Sequence, residues 1–440
     1  MHSARTPFQT MASRYTAISR VAFNWRRTYL VSIFQMLTRK SSKRLKWITF
    51  SLGIITVTFL LTIERYQVTV ELERGEQSFV CNTGNAAGKC PDVGECMLRG
   101  KWLTRPLTTA EKQKVDDYMH SARRERGAED TLQRSDGKCF NLANEGNNWY
   151  RALCDPDGPT PCCFGNRCVN KTFNDCKCPD CHDLRHLVHA EYSTWQPKDS
   201  RCMVKNFTAE EACRLLEGAT VVFVGDSLAR HLYTLLLTVV AGNGHDGAID
   251  SSATKDIYTR CSGWKILSEK ICLNWIKRNV SLCNNSVRLQ FYEYYRSSYW
   301  QEFLDLGISL YDKRKSLLVT GIGLHDNCDV TKVFDKFLRP LLQNRMDNGT
   351  GWPKVVWSAV HSRSEIVSNV DIEEELRKTR TFNLLMRDRM ERYGVTVFDT
   401  FNMTNGVATP DGTHYGFGLN LMKAQMFLNL VQEMEDKLEW

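Results

Sequence analysis

The first 46 residues contain no aspartate or glutamate, and the first 80 contain no cysteine. Both absences are informative. The acid-free start holds ten Lys/Arg, and removing them from the net charge of +8 leaves −2 on the rest. A near-neutral body excludes nucleic acid as the main partner. All seventeen cysteines fall after residue 80, which excludes an even redox environment along the chain and places the later part in an oxidising compartment. The chain has no P-loop and no convincing dinucleotide-binding fingerprint, so no bound cofactor is expected. Metal is likewise not expected.

One run without charge is present. "WITFSLGIITVTFLLTI", residues 47–63, is at the short end of what crosses a bilayer as a helix. The basic "RKSSKRLK" precedes it and Glu64 follows. The positive-inside rule then leaves the N-terminus in the cytosol and the rest across the membrane. A cleaved signal peptide fits less well, because the basic region is long and no small-residue cleavage site follows closely. A mitochondrial presequence is opposed by the cysteines and by six N-x-S/T sequons, at Asn170, Asn206, Asn279, Asn284, Asn348 and Asn402. A short span with a basic tail favours a Golgi (or ER) membrane, with the protein type II and glycosylated.

The expected organisation is a cytosolic tail over 1–46, an anchor over 47–63, a stem over 64–138, a cysteine-rich module over 139–202 and a larger domain over 203–440. The stem includes a charged helical piece whose charges read as a solvated face. The module is rich in Gly, Pro, Asn and Asp, has little core and needs covalent staples. Cys176, Cys178, Cys181 and His182 offer zinc-ligand spacing, and Cys178–Cys181 has redox-motif spacing, but disulfides fit the compartment better. An odd cysteine count leaves at least one thiol free or paired with another chain.

From Cys213 the pattern is α/β. Strands are expected over 220–224, 287–292, 316–320, 354–360 and 395–398, and helices over 228–240, 330–342, 372–393 and 418–437. Buried strands alternating with helices predict a mainly parallel sheet sandwiched by helices, with sites at the carboxyl ends of its strands. Gly225-Asp226-Ser227 lies at that edge, between "TVVFV" and an apolar helix. Either Asp226 or Ser227 caps the helix, or Ser227 is a nucleophile beside a helix N-terminus that holds an oxyanion. A nucleophile needs a base and an orienting acid; Asp411 and His414, in "TPDGTHYG", supply both on one loop. The alternative for that motif is a capping aspartate beside a surface histidine. "TGIGLHDN" adds Gly321, Gly323, His325, Asp326 and Asn327, of which His325 or Asn327 could donate to an oxyanion. Arg230, one turn after Ser227, pairs with Asp226 or holds an anionic or carbonyl group of substrate. His231 points elsewhere on the helix, and His361 ends a strand at the same edge, where it could line the cleft. G-x-S-x-G of the α/β-hydrolases is absent.

"FVGDSLAR", the Gly-x-Gly-x-His loop and "DGTH" together resemble the SGNH/GDSL hydrolase superfamily, and most of all its PC-esterase, trichome-birefringence-like branch of glycan O-acetyltransferases. "EYSTWQPKDSRCMVKNFTAEEACRLLEGATVVFVGDS" carries Trp195-Gln196-Pro197, Cys202, Phe207 and Leu216-Glu217-Gly218 in that branch's order. "FYEYYRSSYW" and "VVWSAVHSR" are similar to later segments of it. The resemblance covers about Tyr192 to the C-terminus. It implies a lumenal acyltransferase moving acetyl from a donor to a glycan or glycoprotein hydroxyl through Ser227, His414 and Asp411. The same site would serve a carbohydrate O-acetylesterase. A third reading, of another class, is a non-catalytic membrane-anchored binding protein. His325 stands where the wider superfamily has an oxyanion-donating asparagine, and Gly263 is the candidate for the second-block glycine.

Overall fold

The computed structural model describes residues 93–125, 133–139, 142–145, 148–200, 202–364 and 372–437. The basic tail, the apolar segment 47–63, stem residues 64–92 and 126–132, and with them Cys81 and Cys90, lie outside the described residues. Among those described, no helix is long and apolar enough to cross a membrane.

The upstream part is made of small pieces. β1 (Gly100–Leu103) is followed by α1 (Thr109–Glu125), then by the short strands β2 (Leu142–Glu145), β3 (Asn148–Arg151), β4 (Cys162–Phe164), β5 (Arg167–Val169), β6 (Cys181–Asp183) and β7 (Thr194–Pro197). α1 solvates its charges as expected, but its other face buries Val115, Tyr118 and Ala122. Tyr118 meets Trp264 edge-on at 5.8 Å, and the Lys114 ammonium sits 4.2 Å from the same indole.

Strands of three or four residues cannot enclose a core, so covalent bonds substitute for one. The pairs are Cys139–Cys163, Cys154–Cys168, Cys162–Cys176 and Cys178–Cys181. Cys176, Cys178 and Cys181 are therefore consumed in disulfides, as the compartment argument favoured over zinc. Cys202, the last cysteine of the 139–202 stretch, pairs instead with Cys96. Cys213–Cys283 and Cys261–Cys272 follow, and Cys328 is the free thiol among the described residues.

The larger part then runs α2 (Ala209–Leu215), β8 (Thr220–Gly225), α3 (Ser227–Val240), α4 (Lys255–Cys261), β9 (Asn279–Leu282), β10 (Val287–Tyr292), α5 (Trp300–Ile308) and β11 (Ser316–Gly321). A π-helical segment, Thr331–Leu338, continues into α6 (Arg339–Asp347). β12 (Lys354–Ser358), α7 (Ile372–Arg392), β13 (Thr396–Phe398), α8 (Phe401–Thr404) and α9 (Phe417–Asp436) complete it. The sheet order is β13-β12-β11-β8-β10-β9, parallel throughout except for β9, which runs antiparallel to β10. The sheet is thus mixed and mostly parallel.

Period-two alternation explains why both faces are covered. Val221 and Phe223 face α3 and α9, where Phe223 meets Tyr233 at 5.7 Å and Phe427 at 5.5 Å. Val222 and Val224 face the other way, into the layer holding Phe303, Phe337 and Met386. β8 lies between β10 and β11, in register Val224 with Tyr292 and Gly225 with Gly321. Three strand ends, and the loops after them, therefore converge on residue 227. All six sequon asparagines are exposed.

Candidate active site

β8 ends at Gly225 and α3 starts at Ser227, so Asp226 is the cap; its Oδ1 accepts from the Leu228 N–H at 2.9 Å. Capping by Asp226 leaves the Ser227 hydroxyl available, and it meets His414 Nε2 at 2.8 Å. Gly225 is required by close approach: a Cβ there would lie 2.3 Å from the Gly321 carbonyl oxygen. That contact is the reason the turn can pack against the tip of β11.

The loop holding His414 is closed by its own aspartate. Asp411 Oδ1 accepts the N–H groups of Thr413 at 2.9 Å and His414 at 2.7 Å, an aspartate turn. Its Oδ2 meets His414 Nδ1 at 2.7 Å. Thr409 Oγ1 donates to the His414 carbonyl at 2.6 Å and pins the other side. A carboxylate only accepts, so Nδ1 carries the proton and the Nε2 lone pair faces Ser227. This ordering lets His414 take the Ser227 proton while Asp411 steadies the imidazolium. The His414 side chain is 25% exposed and that of Asp411 18%, open to a reactant yet largely shielded from bulk water. Ser227 is the first residue of a fourteen-residue helix, and its N–H is among the donors without an intrahelical acceptor. That N–H and the helix dipole can stabilise an oxyanion.

The surrounding residues only partly follow expectation. Arg230 pairs with Glu293, at 2.7 Å, rather than with Asp226, and Arg278 joins the same carboxylate at 3.1 Å. The Arg230 side chain is 9% exposed, and its Nη1 donates to Glu293, which neutralises the buried guanidinium. Asp226 makes no direct ion pair among the described residues, although its charge reaches the Lys423 ammonium, and burial pushes its pKa up. Asn327 adopts a left-handed conformation (φ 57°), and its Oδ1 accepts from Lys378 Nζ, which fixes the amide while leaving its Nδ2 donor out of that contact. His325 is exposed and stands edge-on to Tyr295 at 5.1 Å. Asp326 is buried and accepts the Ser297 N–H and hydroxyl, each at 2.8 Å, which ties the loop after β11 to the loop after β10. A Cβ on Gly323 would meet Val360 at 2.8 Å, so this glycine is explained by packing.

Two histidines differ from their sequence reading. His231 does not point away: its ring centroid is 5.4 Å from that of His414. His361 does not line an open cleft. It is buried beneath the Asp411–His414 loop, where Nε2 donates to the Thr413 carbonyl at 2.7 Å. Burial first, then the nearby Lys423, holds its pKa well below the ordinary value and keeps it neutral. Gly263 begins a turn whose N–H donates to the His245 carbonyl at 2.6 Å, beside the Trp264 that packs on α1. Glu293, Thr409 and Lys423 were missed in the sequence. Only Glu293 carried a usable signal, since it follows a strand at the same carboxyl edge.

No protein-family model matches this sequence, and no curated protein matches it. Solved structures do. A member of the lipolytic protein G-D-S-L family from Veillonella parvula is 11% identical with a TM-score of 0.27, covering 49% of this chain and 97% of its own. Axe2, an acetylxylan esterase from Geobacillus stearothermophilus, is 12% identical with a TM-score of 0.29, covering 49% and 95%. An extracellular lipase from Streptomyces rimosus is 13% identical with a TM-score of 0.26, covering 48% and 97%.

Proposed function

We propose that this chain is an acyl-transfer enzyme of the SGNH type that moves an acetyl group to a glycan hydroxyl in the secretory lumen. The observation that carries the reading is the continuous chain Asp411 Oδ2, His414 Nδ1, His414 Nε2 and Ser227 Oγ, with both links under 3 Å. A binding protein has no use for a serine placed on a base that is itself oriented by a carboxylate.

In the first step Ser227 Oγ bonds to the acetyl carbon and the bond to the donor's leaving group breaks. His414 Nε2 takes the serine proton and passes it to that leaving group. In the second step a sugar hydroxyl gives its proton to His414 and attacks the acetyl-serine. The Ser227 ester bond breaks and the proton returns to Oγ. The glycan acceptor and the membrane-anchored, type II placement in Golgi or ER rest on the sequence: the PC-esterase resemblance, the basic tail before residues 47–63, and six exposed sequons. Hydrolysis is the second reading, favoured by the partial exposure of His414, which lets water compete for the acyl-serine.

The test is incubation of the full-length chain with a small activated acetyl ester, then peptide mass spectrometry of Ser227. An acetyl-Ser227 adduct that disappears in Ser227→Ala and His414→Ala supports acyl transfer. Screening sugars as acceptors against release of acetate then separates transferase from esterase. A folded, disulfide-bonded protein that forms no adduct sinks the proposal and leaves the binding protein.

A further inference from the structure

The catalytic loop is held at both ends by one short stretch of the upstream chain, residues 188–192. At the entry side Val188 N–H donates to the Gly406 carbonyl at 2.9 Å, and Ala408 N–H donates to the Val188 carbonyl at 2.8 Å, a parallel bridge between Val188 and Val407. At the exit side Glu191 Oε1 accepts the Gly418 N–H at 3.1 Å, in the first turn of α9. Asp411 and His414 lie between these two fastenings.

The exit fastening is built into the sequence on both partners. The N-cap of α9 is Gly416, which has no side chain to satisfy the helix's first N–H groups. Glu191 supplies that oxygen from outside the helix. The two glycines make room for it: a Cβ on Gly416 would lie 2.3 Å from Glu191 Oε1, and one on Gly418 would lie 2.6 Å from the Glu191 backbone. Glu191 has no ion-pair partner among the described residues, and burial pushes its pKa up. A carboxylate kept in such a place is set there by the helix terminus it faces. The stretch is itself anchored: Tyr192 N–H donates to the His189 carbonyl at 3.1 Å, and Tyr192 packs edge-on against Trp264 at 5.8 Å.

We propose that residues 188–192 form a clamp that sets the position of the Asp411–His414 loop, with Glu191 as the positioning residue. The cysteine-rich stretch that precedes it then acts as part of the catalytic unit and is more than a separate appendage. The proposal rests on the acyl-transfer reading only for its effect on rate; the clamp itself is a statement about the loop.

Two measurements on the full-length chain separate these. Hydrogen exchange at the 409–416 amides reads the loop without any reaction. Glu191→Ala is expected to speed exchange there about tenfold while the β8 and β11 amides stay protected. The rate at which a fluorophosphonate labels Ser227, and the split of kcat from KM, read the chemistry. Glu191→Ala should slow labelling and kcat about tenfold with KM unchanged, because small misplacements of a base cost rate. Glu191→Gln keeps an acceptor oxygen in place and should recover to within about threefold of wild type. Gly418→Ala, which pushes on the same contact from the helix side, should lower kcat as Glu191→Ala does. Unchanged exchange in Glu191→Ala overturns the clamp. So do wild-type labelling rates in folded Glu191→Ala and Gly418→Ala. Absence of labelling in the wild type would sink the acyl-transfer reading, and the exchange result would still decide the clamp.

Discussion

Lys423 is a fully buried ammonium on α9, and replacing it with methionine should make the protein more stable at neutral pH. Burial lowers its pKa from the ordinary 10.5 to about 8, with the nearby Asp226 charge opposing part of that shift. The unfolded chain therefore binds more protons than the folded one between the two values, and stability rises with pH across that window. At pH 7 both states are protonated, and the fold bears the whole cost of a desolvated charge. A fall from 10.5 to about 8 corresponds to about 3 kcal/mol. Linkage reduces this to about 2 kcal/mol at pH 9 and to under about 0.5 kcal/mol at pH 10.5. Lys423→Met fills a similar volume with no charge, so it should gain up to those amounts, and the gain should fade as pH rises. The assay is denaturant unfolding of wild type and variant, with disulfides intact, at pH 7, 9 and 10.5. A variant no more stable than wild type at pH 7, or an advantage that persists undiminished at pH 10.5, would refute the reasoning. Either result would mean that the Lys423 ammonium is compensated inside the fold.

Four further outcomes are expected. Asp411→Asn should keep the fold but lower the rate of Ser227 acylation on the order of 10⁴-fold, because the amide permits the wrong imidazole tautomer; pre-steady-state acylation measures it. Gly225→Ala should cost roughly 1–3 kcal/mol or more in unfolding free energy and abolish acylation, since its methyl meets the Gly321 carbonyl. Glu293→Ala leaves the buried Arg230 guanidinium without its carboxylate. With Glu293 itself 35% exposed, the expected loss is about 1–2 kcal/mol by denaturant titration, below that of a fully buried pair. Cys328 should alkylate slowly with iodoacetamide at pH 8 in the native protein and readily after unfolding, because burial pushes its thiol up to about 11.

Much of the site was legible because its signals are local. Val221 to Val224 is apolar on both faces, which marks a central parallel strand, and the Gly-Asp-Ser join marks where it turns into a helix. Asp411 and His414 are three residues apart, so one aspartate turn brings them together without help from the rest of the chain. The sequence also specified glycine where backbones touch, at Gly225, although it did not say what they touch.

Partner choice was not legible in the same way. Whether Arg230 faces Asp226 or Glu293 depends on β10 lying beside β8, and nothing within one helical turn reveals a strand neighbour. Nor does the sequence show that Asn327 takes a left-handed backbone and that its Oδ1 accepts from Lys378, 51 residues away. His231 lies on the helix face that α9 and its leading loop cover, a matter of helix packing. By itself the sequence determined the alternation of strands and helices, the capping aspartate, the serine at the strand tip and the Asp–His pair on one loop, because periodicity and turn chemistry act over a few residues. Only the tertiary structure decided that Ser227 and His414, 187 residues apart, stand 2.8 Å from each other. It also decided which carboxylate neutralises Arg230 and that Val188 and Glu191 bond to the chain on either side of the Asp411–His414 loop, because such contacts are set by strand order and packing.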